Sequence, residues 1–361
     1  MGLVRHSPSV RAPRVRSLLP AAASVIALFL LGLPVIGEDI GLPLPSVDIP
    51  PAKGKTGSFD IIEIDQAAHL MYVADRTTGG VDIFDISTPS AKYLQTIATG
   101  SPPNGVSLAK NVNKVFVGTN DSNIAIIDIN PASSTRNTMI ARLSSGGKKR
   151  VDEMDYDAKD KKLYAANSDD GLVTSVDAVK NTIIRQFKNL GEGLEQPRYN
   201  PADGMMYMTS SDQNAVYQFD PVTDALVGKH NVGADCDPNG LAINPATNQA
   251  LLGCSNKKTP MTVLWDLKTH AVITKFDQAG AGDMAFYSPK TNLWFFAAAN
   301  FPKGAALAVF GGSPVRWLAN LPTAVGSHAV AFDETNHVIY TLDQRPNSAG
   351  LMAFWLPEIP K

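Results

Sequence analysis

Seven consecutive units recurring every 43 to 48 residues, each divisible into short strand-like segments, predict an all-β chain closed into a ring of seven four-stranded antiparallel blades. Two observations carry this expectation. With Asn239 taken as position zero, an aromatic or large aliphatic residue recurs at plus 12 as Tyr72, Phe116, Tyr164, Tyr207, Leu251, Phe295 and Tyr340. An apolar residue recurs at plus 4 as Ile64, Leu108, Tyr156, Tyr199, Ile243, Tyr287 and Phe332. The chain also holds 28 Gly and 25 Pro among 361 residues, which suits many short strands and turns better than a helical bundle.

The second unit shows the four strands plainly. Its segments VSLAK, VFVGT, IAIIDI and TMIARL alternate or run apolar between turn-forming residues. The third strand often ends in Asp, as at Asp85, Asp128, Asp177, Asp220 and Asp266. Four-stranded repeats of this length are the signature of a β-propeller, here spanning residues 57–361. The last unit stops at its third strand, LMAFWLPEIPK, so one blade lacks an outer strand. Within the preceding segment, 38–56, LPSVDI from Leu44 to Ile49 is positioned to supply it and close the ring without an exposed sheet edge. A solenoid would need capping repeats, and none is found.

The dipeptide Asn239-Gly240 looks in isolation like a two-residue hairpin turn. The register moves that turn downstream to Asn244–Asn248, because the apolar positions at plus 4 and plus 12 flank that stretch.

Residues 1–37 read as a targeting leader rather than part of the fold. Arg5, Arg11, Arg14 and Arg16 precede the 13-residue apolar run from Ala21 to Leu33, a secretory length that falls short of the roughly 20 residues a span requires. Cleavage after Gly37 would start the mature chain at Glu38 and place it in the periplasm or outside the cell; membrane contact is expected only if the leader stays. Loss of four Arg takes the formal charge from −2 to −6, which argues against nonspecific nucleic-acid binding. Export favours pairing of the two cysteines, Cys236 and Cys254. Haem-attachment, thiolate-zinc, phosphate-loop and G-x-S-x-G patterns are absent from the sequence, so neither haem nor nucleotide is expected.

The units resemble the YVTN-repeat β-propellers of exported prokaryotic proteins, most closely in YVAD at 72–75 and YAAN at 164–167. The resemblance implies the propeller fold and leaves function open, since the wider class includes hydrolases and binding scaffolds.

The zero positions are the most informative functional feature: Asp60, Asn104, Asp152, Glu195, Asn239, Asp283 and His328, none of them apolar. In a propeller these points converge at one mouth of the central channel. Four carboxylates in a ring about 8 Å apart repel by on the order of 2 kcal/mol per pair at an effective dielectric near 20. Nearby bases, protons or a cation must relieve that repulsion. Carboxylate and amide oxygens suit a divalent ion such as calcium, with Glu195, Asn239 and Asp283 as candidate ligands. His328 is the one histidine at a zero position and a candidate general base. Asp60, Asn104 and Asp152 complete the ring as ligand-binding candidates. The loops SNKKTPM, ANFPKGA and DQRPNSAG open on the same face and add Lys257, Lys303 and Arg345 as a basic rim.

Two readings follow. The first is a monomeric scaffold that binds a small molecule or protein at the mouth. The second is a divalent-metal-assisted hydrolase resembling the gluconolactonase, paraoxonase and fluorophosphatase propellers in its Glu, Asn and Asp ligand chemistry. Those enzymes have six blades and a narrower channel, which favours the scaffold.

Overall fold

The computed structural model describes residues 40–357; the expected leader at 1–37 lies outside them. Seven four-stranded antiparallel sheets follow one another along the chain. Blade 1 runs from Phe59 to Ala98, blade 2 from Pro103 to Ser144, blade 3 from Met154 to Phe187 and blade 4 from Leu194 to Asn231. Blades 5 and 6 span Pro238–Phe276 and Ala285–Pro322. Inner strands of successive blades touch, and that of blade 7, Ala331–Asp333, returns to that of blade 1, Phe59–Asp65. The ring of seven blades is as the repeats predict.

Why the plus 12 residue recurs is visible in the packing. Seven hydrophobic clusters fill the seven spaces between neighbouring blades. Each plus 12 side chain belongs to the cluster its blade shares with the next: Tyr72 meets Val106 and Val117, and Tyr340 meets Phe59 and Ile62 across the seam. All seven are at most 1% exposed, so this one position turns a row of separate sheets into a continuous core.

The first turn of each blade follows equally from sequence. The residue at plus 9 is left-handed in every blade: His69, Asn113, Lys161, Gly204, Asn248, Asn292 and His337 have φ between 53° and 76°. Asn and Gly tolerate that conformation well, which explains the turn at Asn244–Asn248. An Asx contact starts several of these turns, as where Asn244 Oδ1 accepts the Ala246 N–H at 3.0 Å. The Asp residues that end third strands do the same, with Asp85, Asp128, Asp177, Asp220 and Asp266 each accepting the N–H two residues on.

The closing strand differs in detail from Leu44–Ile49. Leu42–Pro43 and Val47–Asp48 both pair antiparallel with Gly350–Trp355, the third strand of blade 7. The ladder begins two residues early and is interrupted at Pro45, which has no N–H to donate.

Two glycines set how tightly blades meet at the mouth. A Cβ on Gly105 would strike the Asp152 carbonyl oxygen, and one on Gly240 the Asp283 carbonyl oxygen, each far inside van der Waals contact. Gly240→Ala is therefore expected to destabilise the protein by about 1–3 kcal/mol, because the obstacle is backbone rather than a side chain that can swing away. Chemical denaturation checks this; an unchanged midpoint would show that the strands separate freely.

Candidate functional site

The zero positions reach the mouth by two routes. In blades 1, 2, 4 and 5 they are the second residue of the inner strand, as Asp60, Asn104, Glu195 and Asn239. In blades 3, 6 and 7 the strand proper starts later, and Asp152, Asp283 and His328 stand ahead of it. Despite this offset, Asp60, Asp152, Glu195, Asn239, Asp283 and His328 line one cavity of about 390 Å³. Lys257 lines it too, from the loop after the second strand of blade 5.

Three expected site residues lie elsewhere. Asn104 is fully buried, accepting from Arg76 Nε at 2.8 Å and donating to Asn120 Oδ1 at 3.0 Å. Lys303 sits 5.8 Å above the Phe301 ring and borders a separate cavity of about 340 Å³ with Trp317. Arg345 folds back onto Asp343, its Nε 2.9 Å from Oδ1, so its charge is already spent locally.

The sequence reading missed three charged side chains in the mouth cavity: Arg76, Arg150 and Glu153. Arg76 donates to Asp60 and Asn104, joining blades 1 and 2. Arg150 Nε lies 2.9 Å from Asp152 Oδ2. The repeat register contained a signal for Arg76. Position plus 16, just past the second strand, holds Arg76, Asn120, Ser168, Ser211, Ser255, Ala299 and Gln344. Several of these contact zero residues directly, as Gln344 Nε2 does with His328 Nδ1 at 3.0 Å.

The charge of the ring is therefore divided unevenly. Asp60 and Asp152 have arginine partners, and His328 Nε2 stands 3.0 Å from Asp60 Oδ1. Glu153, Glu195 and Asp283 have no ion-pair partner among the described residues. Burial, reinforced by neighbouring acids, pushes the Glu153 and Glu195 carboxyls well above their ordinary range. Burial also raises Asp152 in spite of Arg150 and Arg76.

The site is held from beneath. Gln196, beside Glu195 and fully buried, accepts the Leu241 N–H at 2.6 Å and the Ala285 N–H at 3.0 Å through Oε1. It also donates to the Ala285 carbonyl at 3.0 Å, so one side chain ties the inner strands of blades 4, 5 and 6. The disulfide between Cys236 and Cys254 joins the approach to Asn239 to the end of the next strand.

Neither a family model nor a curated protein matches this chain. Among solved structures, one chain of the "Crystal Structure of Mitotic Checkpoint Complex" is similar at TM-score 0.70 and 14% identity, over 99% of this chain and 100% of that one. The chain is a seven-bladed β-propeller. At that identity the likeness speaks for the fold alone.

A second charged layer lies at plus 3, where Glu63, Asp155 and Arg198 from blades 1, 3 and 4 feel one another across the ring. Burial pushes the Glu63 carboxyl up to about 8, against the attraction of Arg198. A carboxyl raised in the folded state holds its proton there longer than in the unfolded chain, so stability falls as pH rises from about 4.5 to 8. Surface exposure leaves Glu63 only half-buried, which reduces the effect to roughly 2 kcal/mol. Glu63→Gln should flatten this part of the pH–stability profile. Parallel profiles for the two proteins would show that Glu63 titrates normally.

Proposed function

We propose that this protein is an exported, YVTN-type β-propeller that acts as a binding scaffold, taking a small ligand through a positive group at the mouth of its channel. One observation carries the reading: Glu153, Glu195 and Asp283 share a cavity without a cationic partner among the described residues, while Asp60 and Asp152 have arginines. Three unpaired carboxylates at a partly enclosed surface favour a ligand that brings positive charge. Arg76 and Arg150, already engaged, stiffen the remainder of the rim. A thermal-shift screen of small amines, amino acids and metal ions tests this, with Asp283→Asn as the control. Stabilisation by at least one cationic compound, lost in the variant, is the expected result. No response from any of them, or an equal response from the variant, overturns the reading.

The hydrolase reading keeps one specific observation, that His328 is oriented by Asp60 inside the same cavity. Its Nδ1 also lies 2.8 Å from the Gly326 carbonyl and 3.0 Å from Gln344 Nε2, so both ring nitrogens already have protein partners. This favours the scaffold. Turnover of a lactone panel that disappears in His328→Ala would reverse the preference.

A further inference from the structure

Glu153, Glu195 and Asp283 come from blades 3, 4 and 6, and one carboxylate oxygen of each lies within 4.8 Å of the other two. Glu153 is only 4% exposed, and its Oε2 is enclosed without a hydrogen-bond partner. Beside the cluster, Asn239 donates through Nδ2 to Asp283 Oδ1 at 3.4 Å, and its own Oδ1 is likewise enclosed and unpartnered. Buried acceptors left without a donor each cost about 1–3 kcal/mol, so two in one place call for a missing positive group. Gln196 ties the inner strands of blades 4, 5 and 6 beside Glu195, Asn239 and Asp283, which limits how far those three side chains can move apart.

We propose that Glu153, Glu195, Asp283 and the Oδ1 of Asn239 bind one divalent cation of the calcium class. The proposal rests on the reading of the mouth as a binding site and names what that site takes first. All four donors are oxygens, which is the hard-ligand set calcium prefers; zinc prefers nitrogen and sulfur, and His328 is turned to Asp60. Ligands on opposite sides of a calcium ion are about 4.6–5.2 Å apart, so three oxygens within 4.8 Å fit one coordination sphere. Calcium takes about six to eight oxygens, so these four residues leave coordination positions for other oxygens. The remaining positions face the cavity, open to water or to an oxygen-bearing ligand. Glu153, at plus 1, thereby joins the Glu195, Asn239 and Asp283 set expected from sequence.

The test is calorimetric titration of the metal-stripped full chain with calcium, magnesium and zinc salts, paired with melting curves. One calcium site is expected, with weaker magnesium and zinc binding. Glu153→Gln and Asp283→Asn should each weaken calcium binding at least tenfold. Asp283→Asn should also melt higher than metal-free wild type, since it removes a repelling charge; a merely structural role for this side chain predicts the opposite. Lys303→Ala, in the separate cavity, should bind as wild type. Absence of calcium binding at millimolar concentration, preference for zinc, or unaltered affinity in Glu153→Gln would overturn the proposal. If calcium fails while amines still bind in an Asp283-dependent way, the cation site is wrong and the scaffold reading stands; if both fail, both fall.

Discussion

Arg76→Met is expected to lower the stability of this protein by about 3 kcal/mol, the cost typical of removing one partner of a buried ion pair. Among the described residues, Arg76 is the only arginine that reaches Asp60, whose side chain is 7% exposed, and it also satisfies the Asn104 amide oxygen. The substitution keeps most of the aliphatic bulk, so the loss reports charge and hydrogen bonding rather than a cavity. Asp60 would then rely on His328 alone. Adding Asp60→Asn should recover part of the loss, because the stranded negative charge is removed with it. Equilibrium denaturation of the two single variants and the double variant reads the coupling. A loss below about 0.5 kcal/mol for Arg76→Met would mean that solvent already serves Asp60.

The second large effect concerns the Cys236–Cys254 bridge, which spans 18 residues of sequence. Replacing both cysteines with serine should cost roughly 3 kcal/mol by loop entropy and lower the melting temperature by several degrees. Its consequence is also local. Cys236 lies three residues before Asn239, and the Asp237 carbonyl next to it accepts from Ser255 Oγ at 2.7 Å. Freeing that segment should weaken ligand binding at the mouth beyond what the global stability change accounts for. Binding retained at full strength in a destabilised double variant would show that Asn239 is held by its strand alone.

The fold was legible because two positions per blade repeat a physical task. The plus 12 side chain always fills the space towards the next blade, and plus 9 always turns the chain, so both leave a periodic trace even where residue type drifts from Asn to His or Lys. The mouth was legible only in part. The zero position converges as expected in six of seven blades, but the balancing charges sit at other offsets: Arg76 at plus 16, Arg150 at minus 2 and Glu153 at plus 1. Arg150 and Glu153 are isolated at their offsets, so no periodicity points to them, whereas Arg76 belongs to the largely polar plus 16 series. Asn104 shows the converse. It holds the right register, yet it is drawn under the rim by Arg76 and Asn120, because pairing, which a position count does not see, decides where a polar side chain ends up. The closing strand forms on the third strand of blade 7 as expected, but it starts two residues earlier than Leu44 and is broken at Pro45, which has no N–H to donate.

The seam also orders events in time. Other ladders join neighbouring strands of one unit, whereas Leu42 meets Trp355 and Val47 meets Leu351, partners roughly 300 residues apart. Closing a loop of that length costs about 3–4 kcal/mol more chain entropy than a five-residue hairpin turn, and those few pairs regain little of it alone. The seam ladder must therefore form after the blades on either side have stacked and brought its strands together. Until then the chain is an open arc whose first and last blades each present an unpaired face, and the interval before closure is when misassembly between copies competes with folding.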